Sequence, residues 1–276
     1  MDKVLGTGGM AAVVDVPVVL TIAGSDSSGG AGIQADLKTF AAHGCYGASA
    51  ITAITAQNTL AVRAVHCCPP AIISAQIAAV LDDLPVRAIK TGMLGDRAAV
   101  DVVADALWGS ARSLVIDPVL TSSSGRALLE DDAVDLLLDR LLPLASLLTP
   151  NLPEAARLAG CDVDDGGLRA ARLLLKRGAR AVLVKGGHGT SDVVVDLLVT
   201  PDGSRRFESP RLRSRHTHGT GCTLSAAIAA RLALGQGLDD AVEGAIAYVH
   251  TAIARAPGLG AGDGPLHHLH PFDPPS

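Results

Sequence analysis

The sequence predicts an α/β fold in three layers, with a mainly parallel central sheet covered by helices on both faces. Three observations carry this. Short apolar runs alternate with stretches of helical spacing from Val18 to Ala256. The apolar runs are near-continuous, as strands buried on both faces require. Polar, glycine-bearing segments follow the apolar runs again and again, at the strand ends where such sheets bind ligands.

Val18 to Ala23 is a buried strand ending at Gly24, and Ser25 to Gly30 is a polar loop. Ala31 to Ala42 has helical spacing, with Ile33, Leu37 and Phe40 on one face. Gly47 to Gln57 is a second strand, and Pro70 to Leu84 an amphipathic helix opened by proline. Ala88 to Gly92 is a strand, Asp96 to Trp108 a helix, and Leu114 to Pro118 a strand. Asp131 to Leu142 is helical, Ser146 to Thr149 extended, and Pro153 to Ala159 and Leu168 to Arg177 helical again. After a strand at Ala181 to Lys185, Asp192 to Val199 and Arg205 to Ser209 form an antiparallel hairpin through Pro201-Asp-Gly203. Helices over Cys222 to Leu234 and Leu238 to Ala256 follow. No repeat or Pro/Ser-rich linker divides the chain. It is expected to be one domain over residues 17–276, behind a flexible extension at 1–16.

Composition narrows the function. Of 276 residues, 48% are hydrophobic, enough for a sizeable core. Aromatics at 2% leave almost no base-stacking platform, and a net charge of −5 gives no bias toward polyanions, so no nucleic-acid partner is expected. The cysteines number five, an odd count without C-x-x-C, which favours a reducing cytoplasm over a disulfide framework. No apolar run is long enough to span a bilayer, and no membrane partner is expected.

The strongest chemical signal is Gly219-Thr-Gly-Cys222, a glycine turn running straight into an Ala-rich helix. Such a junction aims backbone N–H groups and the helix dipole at one spot, which favours a phosphate. Gly30-Ala-Gly-Ile-Gln-Ala35 matches the dinucleotide fingerprint in form, but Gln57 stands where that fingerprint wants a carboxylate. Asp36 borders the core face of its helix near the ligand end, as a ligand contact or as a solvated helix carboxylate. Asn151 and Glu154, three apart across a proline turn, suit either a hydrated Mg²⁺ or a helix cap. Lys185-Gly-Gly-His188 puts a lysine at a strand end before a flexible turn, as a triphosphate would need or as a plain surface lysine. His267-His-Leu-His270 lacks the partners of a metal site.

Taken together, Ala23-Gly-Ser-Asp-Ser-Ser-Gly-Gly-Ala-Gly-Ile-Gln-Ala-Asp36, Lys90-Thr-Gly-Met-Leu94, Asp117-Pro-Val119, Thr149-Pro-Asn-Leu-Pro-Glu-Ala155, Val184-Lys-Gly-Gly-His188, Thr217-His-Gly-Thr-Gly-Cys-Thr-Leu-Ser225 and Gly264-Pro-Leu-His-His268 resemble the hydroxymethylpyrimidine/phosphomethylpyrimidine kinases of thiamine biosynthesis. The resemblance implies the ribokinase-like fold and two ATP-dependent phosphorylations of 4-amino-5-hydroxymethyl-2-methylpyrimidine, first to the monophosphate and then to the diphosphate. It implies that Gln57 bonds the aminopyrimidine, with Asp36 and Gly24 beside it and Met93 and Val119 lining the pocket. Asn151, Glu154, Lys185 and Gly187 would serve the ATP phosphates, with Glu154 reaching Mg²⁺ through water. Gly219, Thr220, Gly221 and Cys222 would form an anion hole. Cys222 occupies the place of the sugar kinases' aspartate base, and a helix N-terminus is expected to lower its pKa below the ordinary value of about 8.5. A homodimer is the assembly the resemblance implies. Two departures stand out: His216 replaces the asparagine of many relatives, and Thr121 to Gly125 lacks a lysine that some carry. A pyridoxal/pyridoxine kinase and a non-catalytic pyrimidine sensor are the competing functions.

Overall fold

In a computed structural model, residues 15–121, 128–187, 189 and 191–274 are described. Most of the expected N-terminal extension, the segment after Thr121, and His188 lie outside the described residues. The first strand, β1 (Val18–Asp26), runs three residues beyond the apolar stretch because Ser25 and Asp26 still pair with Ile54 and Thr55 of β2 (Tyr46–Gln57). Helix α1 (Gly32–Ala42) joins them and buries Ile33, Ala35 and Phe40. A short strand, β3 (Val62–Cys67), then pairs antiparallel with β2. It was not expected from the sequence. It is an edge strand with mostly exposed or half-buried residues, including Arg63 and His66, so it lacks the apolar run of the central strands.

The chain next crosses to the other side of β1. Helix α2 (Pro70–Asp83) leads into β4 (Val86–Thr91), which pairs parallel with β1. Helix α3 (Arg97–Leu107) starts at Asp96, whose carboxylate accepts the Ala99 N–H. Strand β5 (Ser113–Ile116) follows. The expected helix over Asp131–Leu142 is α4 (Asp131–Leu136), then a π turn over Leu137–Leu141 and a 3₁₀ turn over Leu142–Leu144. Leu137, Leu138, Leu141 and Leu142 are all buried, and the widened turn brings successive leucines inward before Pro143 ends the run.

Strand β6 (Leu147–Leu148), helices α5 (Leu152–Ala159) and α6 (Leu168–Lys176), and strand β7 (Val182–Val184) extend the sheet. The expected hairpin is β8 (Val193–Thr200) and β9 (Gly203–Pro210). Helices α7 (Thr220–Ala233) and α8 (Leu238–Ala254) close the fold. The sheet order is β3-β2-β1-β4-β5-β6-β7-β8-β9, parallel from β2 to β7 and antiparallel at both edges. Helices α2 to α6 cover one face, and α1, α7 and α8 the other. The strand order reverses between β1 and β4, so a crevice opens there at the carboxyl ends of the strands.

Candidate active site

A cleft of about 860 Å³ occupies that crevice. Its walls carry Gly24, Gln57, Met93 and Val119 on one side and Asn151, Glu154, Lys185 and Gly187 on the other. Gly219, Thr220, Gly221 and Cys222 close it from above the strand ends. Every residue expected at the site lines this cleft except Asp36.

Asp36 is sealed beneath the floor. Its oxygens receive Lys90 Nζ at 2.8 and 3.0 Å and the Thr21 hydroxyl at 2.6 Å, and neither side chain of the Asp36–Lys90 pair has any exposure. The helical spacing was right, but the turn of α1 aims Asp36 into the sheet and away from the cleft. Burial alone would pull Lys90 down; Asp36, with Cys222 and Asp117 behind it, more than offsets that and holds the ammonium above its ordinary value. Burial pushes the Asp36 carboxyl up at the same time. Two short contacts from one ammonium and a third from a hydroxyl are the geometry of an ionised pair.

At the acceptor end, the backbone of Gln57 is pinned by Ser27: its N–H donates to Ser27 Oγ at 2.8 Å, and its carbonyl accepts from the same hydroxyl at 2.7 Å. The Gln57 amide lies between His218, with Nε2 atoms 3.2 Å apart, and Thr55 Oγ1 at 3.4 Å. His218 Nε2 also lies 2.9 Å from Asp26 Oδ2. Asp26 accepts from Ser28, Gly30 and Ala31 as well. Burial raises its pKa, but the bonds from His218, Ser28 and Ala31 outweigh it and hold the carboxyl at about 2. Val119 has φ of 43°, a strained conformation for a β-branched residue, and sits just after the β5 strand end.

At the phosphate end, α7 begins without any side-chain cap. The Thr220 N–H donates to the Thr217 carbonyl at 3.2 Å, which leaves the amides of Gly221 and Cys222 available to an anion. Gly219 has φ of +84°, and a Cβ there would lie 1.9 Å from the Gly30 carbonyl oxygen. The glycine turn and the β1–α1 loop are thus in direct backbone contact. Cys222 keeps a partly exposed face in the cleft. Enclosure nonetheless pushes its thiol up to about 11; Lys90 and the Gly32 N–H pull it down, and Asp36 and Asp117 add to the rise. This corrects the expectation that the helix end would depress it: burial and two carboxylates outweigh the favourable field.

Lys185, bridged to Asn151 at the strand ends, donates to Asp117 Oδ1 at 2.8 Å. Burial would lower its pKa, but Asp117 and Glu154 raise it further. Asn151 and Glu154 form a capping box on α5. Glu154 Oε2 accepts the Asn151 N–H at 2.9 Å and Oε1 the Leu120 N–H at 3.2 Å. The helix-cap role is therefore real, and it also fixes the carboxylate in the cleft wall. Burial pushes Glu154 up, against the pull of Lys185.

Sequence reasoning gave no role to Asp26, His218, Lys90 or Asp117, although each stands in a quoted motif. The Asp26–His218 contact spans 192 positions and Lys90–Asp36 spans 54, so no local spacing announces either. Asp117, polar at a strand end, was the one with a visible signal. Among the described residues no helix is long and apolar enough to cross a membrane.

The family model for phosphomethylpyrimidine kinase matches residues 26–267. The chain is 52% identical over 258 residues to the hydroxymethylpyrimidine/phosphomethylpyrimidine kinase of Rhizobium meliloti (strain 1021), covering 92% of this chain and 97% of that one. The namesake protein of Escherichia coli (strain K12) is 46% identical, with 91% and 97% covered. Among solved structures, phosphomethylpyrimidine kinase from Clostridium difficile 630 is 43% identical with a TM-score of 0.77, covering 86% of this chain and 99% of that chain. An ADP complex of Bacillus subtilis pyridoxal kinase is 36% identical with a TM-score of 0.84, covering 92% and 98%. The chain belongs to the phosphomethylpyrimidine kinase family, phosphotransferases on the ribokinase-like fold.

Proposed function

We propose that this enzyme uses ATP to phosphorylate 4-amino-5-hydroxymethyl-2-methylpyrimidine and then its monophosphate, for thiamine biosynthesis. One observation supports it above all: a single cleft joins the Gln57 amide, matched to an aminopyrimidine edge, to the uncapped N-terminus of α7. ATP supplies the phosphoryl group. Gln57 holds the ring, Met93 and Val119 pack against it, and Lys185 and Gly187 face the phosphates. The amides of Gly221 and Cys222 would offset charge that builds on the transferring group.

The loose transition state of phosphoryl transfer asks for positioning and charge stabilisation more than for a strong base. A thiol raised to about 11 keeps its proton at neutral pH, so Cys222 acts as part of the anion hole. In the second phosphorylation the nucleophile is already a phosphate oxygen. One site therefore suits both acceptors.

Mg²⁺ fits the wall formed by Asn151, Glu154 and Asp117, where two carboxylates face the phosphate end. Both Glu154 oxygens already accept backbone N–H groups, so Glu154 would meet the ion through water. Bound there, the ion would neutralise phosphate charge. We also infer a cytoplasmic homodimer. The five cysteines are all free, which suits a reducing compartment, and the dimer rests on the family resemblance.

A second reading, pyridoxal phosphorylation, draws on the pyridoxal complex of the Staphylococcus aureus pyridoxal kinase, with a TM-score of 0.85 and 33% identity. Purified protein with Mg-ATP and each acceptor, products resolved by mass, separates them. The expected products are pyrimidine mono- and diphosphate. Turnover of pyridoxal alone would overturn the proposal, and no turnover with any acceptor would favour the sensor.

A further inference from the structure

The contacts around Gln57 cannot all be satisfied as the atoms first suggest. Asp26 is ionised and accepts every bond it makes, so the His218 Nε2 facing it at 2.9 Å must carry a proton. A protonated Nε2 has no lone pair for the Gln57 NH₂ group 3.2 Å away. The other end has the same conflict. The Thr55 hydroxyl gives its one proton to the Ser25 carbonyl at 2.9 Å, leaving only lone pairs toward Gln57 Oε1 at 3.4 Å. Turning the amide by half a rotation about its last bond resolves both contacts at once. The oxygen then shares the His218 Nε2–H with Asp26 in a three-centre bond, and the NH₂ group meets Thr55 Oγ1. The two ends of an amide are nearly equal in size, so the turn disturbs no packing.

We propose that Asp26 and His218 form a positioning dyad that sets the Gln57 amide with its oxygen toward His218, and so fixes which way round an aminopyrimidine lies in the cleft. This rests on the aminopyrimidine reading above. After the outward lone pair and the outward N–H are taken by His218 and Thr55, one lone pair and one N–H remain, side by side, facing the cleft. The oxygen accepts from the 4-amino group, and the N–H donates to the adjacent ring nitrogen. The amino group therefore lies on the His218 side. The hydroxymethyl group is on the next ring carbon, farther toward that side, where Gly219 to Cys222 follow His218 directly in the chain. The reverse amide would pair with a reversed ring and carry the hydroxymethyl group away from the glycine turn. The dyad thus selects rings whose amino-ring-nitrogen edge flanks the hydroxymethyl carbon. It acts through Gln57 and touches neither reacting atom.

Two measurements test this together. In protein labelled with ¹⁵N-glutamine, the Gln57 amide protons should show contacts to Thr55. Amide protons found against the His218 ring would overturn the dyad whether or not the enzyme turns over pyrimidines. The second measurement is calorimetric affinity for 4-amino-5-hydroxymethyl-2-methylpyrimidine against its analogue lacking the amino group. His218→Phe should cut that affinity ratio by about 10- to 100-fold, and His218→Gln, which restores an N–H near the same place, should recover most of it. In a Gln57→Ala background, His218→Phe should change the ratio less than about twofold. Equal loss for both ligands, or an undiminished effect without Gln57, would make His218 a support of the glycine turn only and overturn the proposal. Wild-type protein that binds neither pyrimidine would overturn the proposed reaction, and the amide orientation would then decide the dyad alone.

Discussion

Two lysine–aspartate pairs lie at the same cleft, each at 2.8 Å, one beneath its floor and one in its wall. Lys90–Asp36 has no exposure on either side chain, whereas Lys185 is 14% and Asp117 3% exposed. Lys90 has both of its short contacts on Asp36, and Thr21 supplies the third bond to that carboxylate. Lys185 makes one short contact and keeps donors free to turn toward the cleft. The same chemistry thus serves as a sealed strut in one place and as a ligand-ready group in the other. Solvent access, not residue type, decides which.

The comparison breaks most visibly at the sealed pair. Lys90→Met should destabilise the fold by about 3–5 kcal/mol in urea titrations, because it strands a buried carboxylate. The double variant Lys90→Met/Asp36→Leu should regain most of the loss. A Lys90→Met protein as stable as wild type would mean that water reaches the pair. At the open pair the balance should reverse. Lys185→Met should slow phosphoryl transfer by roughly 10²–10³, the scale of losing one group that stabilises transition-state charge. Its unfolding free energy should fall by less than about 2 kcal/mol, since water can reach Asp117 and Thr149 still faces it.

Cys222 sits between the pairs and reports on both. With its thiol at about 11, a thiolate base would make the first phosphorylation climb tenfold per pH unit through neutrality. The expected profile is flat from about pH 7 to pH 9, and Cys222→Ala should slow both phosphorylations by a similar factor of about ten or less. A steep profile, or a loss confined to the first step in single-turnover assays, would restore Cys222 as the base. The smallest effect on rate belongs to Glu154→Gln. It should raise the Mg²⁺ concentration needed for half-maximal rate and cost about 1–3 kcal/mol of stability, because the single amide oxygen can keep only one of the two backbone N–H groups, from Asn151 and Leu120, that the carboxylate accepts. An unchanged Mg²⁺ requirement would leave Glu154 as a cap alone.

The sequence foretold the elements whose signals are local. The apolar runs of β1, β4 and β5, the helix start at Asp96 and the Pro201-Asp202-Gly203 turn all appear where residue order alone places them. The uncapped glycine turn was legible for the same reason. β3 was not, because an exposed edge needs no apolar run, and neither was the π turn, which depends on what its leucines face. The expectation for Asp36 failed by direction: helical spacing tells that a residue borders the core but not whether it points through to a lysine on the next strand. The expectation for Cys222 failed because a helix end is visible in sequence and the carboxylates around it are not.

The contact between Gly219 and the Gly30 carbonyl has an evolutionary consequence. Any side chain at 219 would push apart the two loops, and position 30 offers no relief, since it is already glycine and a Cβ there would lie 2.5 Å from the His218 ring. Neither position can compensate a change at the other. A lineage acquiring a new acceptor would therefore leave this joint untouched and vary the side chains of Gln57, Met93 and Val119, which line the cleft.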